Sequence, residues 1–172
     1  MNSIQVPPLA EPASVVGQCE ANSRPRILVV EDDPDIRRLN TEVLADSGYA
    51  VDAAEDGAVA WAALQASNYD LVVTDGNMPR VTGVQLIKKL QAAQMAVPVI
   101  MVTGDVPDRE FSSQPWNQPA AVLLKPYSFN ELLEIVKEVL SASAVASGTI
   151  ASPTNWPGEL ARQNRSYKNL AG

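Results

Sequence analysis

From Arg26 onward, short apolar runs alternate with stretches whose apolar residues recur at helical spacing. Ile27-Leu28-Val29-Val30, Leu71-Val72-Val73, Val97-Pro98-Val99-Ile100-Met101-Val102 and Ala121-Val122-Leu123-Leu124 read as strands, and a further short strand is expected at about residues 50 to 54. Strands separated by helical patterns argue for successive βα units on a parallel sheet.

The helical stretches carry their own start and stop signals. Asp33 can cap the first, Pro34 suits its opening position, Ile36, Leu39, Val43 and Leu44 form its apolar stripe, and Gly48 stops it. Asp56-Gly57 leads into a second, with Ala60, a buried Trp61 and Leu64 on one face, and Val84, Leu86, Ile87 and Leu90 mark a third after Gly83. The last is the best signalled. Ser128 and Glu131 form a capping box, Tyr127 and Leu132 can staple across it, and Phe129, Leu132, Leu133, Val136, Val139 and Leu140 keep helical spacing, so this helix is expected to end close to Leu140. Between residues 105 and 120 the pattern fails: Pro107, Pro115 and Pro119 interrupt it and only Phe111 and Trp116 are large and apolar, which predicts a shortened fourth helix or an irregular loop. Residues 1 to 25 and 141 to 172 are rich in Ser, Ala, Pro, Asn and Gly and read as mostly disordered extensions around a domain spanning 26 to 140. Within the second extension, Glu159 to Leu170 has the spacing of a brief basic helix carrying Arg162, Arg165 and Lys168.

Composition narrows the function classes. At 172 residues the chain suits one ordinary domain plus its extensions. Its net charge is -7, and residues 26 to 140 hold 17 acidic against 9 basic side chains, so the domain itself offers no basic field to nucleic acid or an anionic membrane. The first 25 residues lack a basic start followed by an apolar core, and no run approaches the roughly 18 apolar residues of a membrane span, so a soluble cytoplasmic protein is the expectation. Cys19 stands alone and can form no internal disulfide, which fits a reducing compartment. The absence of histidine excludes serine–histidine and cysteine–histidine catalytic pairs and histidine-ligated zinc. No glycine-rich phosphate loop or dinucleotide fingerprint is present.

The candidate chemistry stands at strand ends. The first strand runs into Glu31-Asp32-Asp33, the third into Asp75 and the loop Gly76-Asn77-Met78-Pro79-Arg80-Val81-Thr82-Gly83, the fourth into Thr103 and the fifth into Lys125. Open α/β folds keep their ligand sites at such strand ends, and carboxylates gathered there repel one another unless a divalent cation sits among them. Thr103 and Lys125 add the hydroxyl and the cation that a phosphoryl group would need.

This constellation resembles the receiver domain of response regulators in two-component signalling, over about residues 26 to 140. Asp32, Asp75, Thr103 and Lys125 stand in family order at separations of 43, 28 and 22, and Asn77, Pro79, Gly83 and the Lys125-Pro126 pair match as well. The resemblance implies a doubly wound five-stranded parallel sheet of order 2-1-3-4-5. It makes Asp75 the phosphoacceptor, with Mg²⁺ held by Asp32, Asp75 and the backbone carbonyl of Asn77, and with Glu31 acting through water. It gives Lys125 and Thr103 contacts to phosphoryl oxygens and makes the Lys125-Pro126 bond cis. The implied function is a phosphoacceptor in a two-component phosphorelay, catalysing only its own phosphorylation and dephosphorylation and so not an enzyme in the usual sense. The implied donor is a histidine kinase or phosphotransfer protein. With about 32 residues after Leu140, too few for a winged-helix output domain, signalling is expected to run through a downstream protein, without direct contact to nucleic acid or membrane. The positions that shape loss of the phosphoryl group in the family are here Asn77 and Asp105, both short and polar, so a short-lived acyl phosphate is expected.

Taken singly, the residues have plainer readings. Asp33 is a helix cap rather than a ligand, Glu31 alone would be a solvated loop acid, Thr103 a β-branched strand residue and Lys125 a surface lysine. A Mg²⁺-dependent phosphatase of the haloacid-dehalogenase type is one rival, but its nucleophile normally ends the first strand in an Asp-x-Asp pair, whereas Asp75 ends the third and precedes Gly76-Asn77. A pseudo-receiver that never takes phosphate is the other, and it would ordinarily have lost an acid or the lysine. One departure from the family stands out: the aromatic residue three positions before the lysine is here Val122, so the usual aromatic switch is lacking, and order or disorder of residues 105 to 120 is the expected substitute.

Overall fold

Unbroken apolar runs give strands that are buried on both faces, and the computed structural model, which describes residues 24–104 and 118–146, shows how each face is covered. Five strands, β1 (Arg26–Val30), β2 (Ala50–Ala54), β3 (Leu71–Asp75), β4 (Val99–Thr103) and β5 (Ala121–Leu124), pair in parallel in the order β2-β1-β3-β4-β5. Among the described residues, α1 (Pro34–Asp46), α2 (Gly57–Ala66) and α3 (Gly83–Ala92) join successive strands and α4 (Phe129–Ala146) follows the last. The predicted sheet and its order are therefore present. The irregular fourth-helix segment expected within 105–120 falls mostly outside the described residues, as do residues 1–23 and 147–172 with Cys19 and the basic stretch after Glu159.

Period-2 alternation along the strands divides the core in two. Ile27, Val29, Leu71, Val73, Ile100, Val102 and Leu123 face one side and pack with Leu44 of α1 and Leu132, Val136 and Val139 of α4. Leu28, Val30, Val72 and Met101 face the other and pack with Ala60 and Leu64 of α2 and Leu86, Ile87 and Leu90 of α3. The chain thus leaves β1 toward one face, through α1, and leaves the adjacent β3 toward the other, through α3. Two loops diverging from neighbouring strands leave a crevice at their carboxyl ends, the topological switch point of the fold.

Local signals behave as the sequence predicts at most helix ends. Asp33 caps α1, accepting from the Asp35 and Ile36 N–H groups, with Pro34 in the first turn, and Gly48 past the end has φ +95°. Asp56, read from the sequence only as leading into the second helix, also caps α2 through the Ala58 and Val59 N–H groups. The capping box of α4 forms: Ser128 N–H donates to Glu131 Oε2 at 2.7 Å and Glu131 N–H to Ser128 Oγ at 3.3 Å.

Several expectations need correction. Leu39 points outward, 39% exposed, and Asn40 takes the inward place between Ile36 and Leu44, because a 100° step per residue puts position 40, not 39, over the sheet. Trp61 is half-buried at the α2–α3 contact with the Lys89 ammonium over its ring, and Phe129, opening α4, is 44% exposed. β4 begins at Val99 rather than Val97, since Pro98 has no N–H for the ladder and contributes only its carbonyl, to Val72 N–H. α4 does not stop at Leu140 but runs to Ala146, where helix-compatible Ala142, Ala144 and Ala146 continue the turn, and Ser143 Oγ donates back to the Val139 carbonyl.

The loop after β3 returns so closely that Gly83 lies against the backbone of the strand it came from: a Cβ there would sit 2.4 Å from the Asp75 carbonyl oxygen. Gly83→Ala is therefore expected to cost about 1 to 3 kcal/mol, the usual range for forced overpacking. Urea unfolding measures it, and a loss below about 0.5 kcal/mol, the scale of ordinary surface changes, would show that the loop can yield.

Candidate functional site

Strand register decides which side chains meet. Asp75 lies opposite Val102 and Thr103 opposite Leu124, while β1 ends beside Thr74, so Glu31, Asp32, Asp75, Thr103 and Lys125 all emerge at one edge of the sheet. Carboxylate oxygens of Glu31, Asp32 and Asp75 lie within 4.8 Å of one another. Glu31 is 3% and Asp75 7% exposed, whereas Asp32 stands at the surface, giving the cluster a dry floor and an open rim.

Asp75 is held at both oxygens. Oδ1 accepts from the Asn77 N–H at 3.0 Å, and Oδ2 receives the Lys125 ammonium at 2.6 Å. The same ammonium stands 3.4 Å from Glu31 Oε2. One cation shared between two buried carboxylates cannot neutralise both. Burial, and then the Asp75 charge, push the Glu31 carboxyl up from 4.5 to about 7, against the opposing pull of Lys125. Burial pulls Lys125 down, but its hydrogen bond to Asp75 and the charges of Glu31 and Asp75 outweigh that, so its pKa is raised.

The backbone holds the neighbouring residues in place. Gly76 N–H donates to the Val102 carbonyl at 2.7 Å, and a Cβ on Gly76 would lie 3.2 Å from Thr103 Oγ1, so the Thr103 hydroxyl borders the loop that follows Asp75. Lys125 N–H donates to the Thr103 carbonyl at 2.9 Å, and the Lys125-Pro126 bond is cis. Asp33 turns its carboxylate to its own helix and stands apart from the cluster, as its place before Pro34 suggested.

The structure also brings in residues to which the sequence pattern assigns no role. Arg37 of α1 donates to the Glu31 and Asp32 carbonyls at 2.7 and 3.2 Å, pinning the acidic turn. Arg80, with φ +67°, pairs with buried Asp56 and with Glu55 Oε1 at 3.4 Å, tying the loop after Asp75 to the start of α2. Asn40 meets the Tyr127 hydroxyl, with Nδ2 to oxygen at 2.9 Å. Only Asn40, a polar residue in an apolar stripe, left any trace of this in the sequence.

An acidic pocket at the switch point of a 2-1-3-4-5 sheet, with a lysine bonded to its central aspartate, defines a receiver-type α/β protein. Comparison with known proteins agrees, for residues 27–137 match the response regulator receiver domain. The chain belongs to that family. It is 31% identical over 117 residues to the chemotaxis protein CheY of Pseudomonas aeruginosa, covering 66% of this chain and 94% of that one. To the transcriptional regulatory protein GlrR of Escherichia coli it is 33% identical over 123 residues, covering 70% of this chain but spanning only 27% of that protein. Among solved structures, response regulator protein TrrA of Thermotoga maritima, in complex with Mg(2+)-BeF, superposes with a TM-score of 0.60 at 34% identity, covering 67% of this chain and 98% of that one. Chemotaxis protein CheY4 of Vibrio cholerae gives 0.62 at 29% identity, covering 68% and 99%. No helix among the described residues is long and apolar enough to cross a membrane.

The raised Glu31 pKa has a testable sign. A carboxyl whose folded pKa is raised contributes stability that is fully present below 4.5 and is lost as pH rises through about 7. In buffer free of divalent ions, the urea midpoint of the wild type should therefore fall between about pH 5 and pH 8 relative to that of Glu31→Gln, which has no such proton to lose. Parallel profiles for the two proteins would show that Glu31 is not under this strain.

Proposed function

We propose that this chain is the phosphoacceptor of a two-component phosphorelay, taking a phosphoryl group on Asp75 with Mg²⁺ and signalling through a protein partner. What carries the reading is the meeting of Asp75 with Lys125 at 2.6 Å inside a cluster that also holds Glu31 and Asp32. The donor is a histidine kinase or a phosphotransfer protein. A net charge of -7 favours a protein over nucleic acid as the next partner, and a cytoplasmic location goes with this role.

The three carboxylates are hard oxygen donors of the kind Mg²⁺ takes, and Asp32, Asp75 and the Asn77 carbonyl would hold it, with Glu31 acting through water. When bound, the ion supplies positive charge against the repulsion between Asp75 and an incoming phosphate dianion. Asp75 is the nucleophile: one of its oxygens bonds to phosphorus as the bond from phosphorus to the donor breaks, and the leaving group keeps that electron pair. Orientation is settled beforehand, because the Asn77 N–H and Lys125 fix both carboxylate oxygens. Lys125 then turns to one phosphoryl oxygen and Thr103 donates its hydroxyl to another, spreading the transition-state charge over groups already in place. Water ends the signal by attacking the acyl phosphate beside exposed Asn77. Asp105, the second residue expected to shape that step, lies outside the described residues, as does most of the segment 105 to 120 expected to replace the aromatic switch missing at Val122.

Incubation with acetyl phosphate and Mg²⁺, read by intact mass, tests this directly. The wild type should gain one phosphoryl group and Asp75→Asn none, since the amide keeps the shape and loses the nucleophile. Gain at another residue would mean that the acceptor is misassigned, and no gain by the wild type would leave a binding scaffold. Asp32→Asn should raise the Mg²⁺ concentration needed for half-maximal rate, as one anionic ligand is gone; an unchanged requirement counts against the ligand set. Replacing Asn77 with leucine should slow decay of the acyl phosphate in Mg²⁺ after the donor is removed, while phosphorylation persists. Equal decay in both proteins would exclude water attack past that side chain.

A further inference from the structure

Asn40 is 3% exposed on the sheet-facing side of α1, where an apolar residue would ordinarily sit. Its carboxamide meets a single hydroxyl: Nδ2 donates to Tyr127 Oη at 2.9 Å, and Oη lies 3.3 Å from Oδ1, to which it can donate in return. A buried amide in apolar surroundings costs stability unless it is hydrogen-bonded. The pair is therefore a directional constraint and not neutral filler.

What it constrains is the turn that carries Lys125. Tyr127 is two residues beyond the lysine, and its ring packs on the cluster that contains Leu132 and Val136. On the sheet side the turn is tied by the Lys125 N–H to the Thr103 carbonyl, and on the helix side by the Ser128–Glu131 box. The Asn40–Tyr127 bond adds a tie to α1, the helix whose cap, Asp33, directly follows Glu31 and Asp32. Arg37, on the same helix, grips the carbonyls of those two acids. One helix thus holds the acidic turn at its first turns and the lysine turn at its middle.

We propose that the Asn40–Tyr127 hydrogen bond positions Lys125 against Asp75, making α1 a strut that keeps the lysine and the β1 acids in register. Both are positioning residues, since each acts through Lys125. The role in phosphoryl transfer rests on the phosphoacceptor reading; the placement of Lys125 does not.

The test uses Tyr127→Phe and the double variant Asn40→Leu/Tyr127→Phe in the full chain, with two readouts. Reductive methylation, followed by peptide mass, reports how accessible the Lys125 amine is, with exposed Lys88 and Lys137 as internal controls. Acetyl phosphate with varied Mg²⁺ separates maximal phosphorylation rate from the Mg²⁺ requirement. In Tyr127→Phe, Lys125 should methylate several-fold faster with the controls unchanged, and the maximal rate should fall about tenfold at an unaltered Mg²⁺ requirement. Stability should fall in the single variant, which leaves a buried amide unpaired, and return in the double variant, where both partners are apolar. The fast labelling and slow reaction should persist in that double variant. Unchanged methylation of Lys125 in Tyr127→Phe would overturn the proposal, as would a double variant whose rate recovers together with its stability. A wild type that takes no phosphoryl group would sink the phosphoacceptor reading, and the methylation result would still decide whether the pair holds the lysine.

Discussion

Everything at the working end of this protein turns on like charges held close together. Glu31, Asp32 and Asp75 would separate if free, yet their oxygens lie within 4.8 Å, and among the described residues one ammonium, that of Lys125, bridges the two buried ones. Among the described residues, three carboxylates thus face one cation. Burial, and then the Asp75 charge, raise the Glu31 carboxyl to about 7, and the negative charge gathered there favours added positive charge at the open rim where Asp32 stands. A site built this way suits the cation and the phosphoryl group proposed for it.

Such a cluster persists only on a scaffold that resists the repulsion. The three central strands are buried on both faces, and helices on opposite sides clamp them through two separate apolar clusters. Because β1 sends the chain to one face and β3 sends it to the other, the acids emerge where no helix among the described residues covers them. The rigid sheet fixes the strand ends, and the repulsion falls on the loops.

The loops are accordingly tied down one by one. Arg37 clamps the turn after β1, Gly83 folds the loop after β3 against its own strand, Arg80 ties that loop to α2, and Tyr127 links the turn after β5 to α1. Most of these ties end on buried or backbone partners, where a lost hydrogen bond is costly. Residues outside the pocket therefore tie the loops that form it.

The sequence by itself determined the βα alternation, the helix caps at Asp33 and Ser128, and the candidate residues at strand ends, because each depends on chemistry within a few neighbouring positions. Apolar runs set strands, cap residues satisfy nearby N–H groups, and a polar residue closing an apolar run stands at the sheet edge whatever the rest of the chain does. The strand order came only through resemblance to a family, since nothing local says which strands are neighbours. The spacing of residues 36, 40 and 44 and the alanines after Leu140 left local traces of the inward turn of Asn40 and the reach of α4, but tertiary structure alone decided the outward turn of Phe129. It alone brought Lys125 across 50 residues to Asp75 and Tyr127 across 87 to Asn40. Those outcomes depend on which helix faces which strand, and that is set by the packing of the whole domain, not by any short stretch of chain.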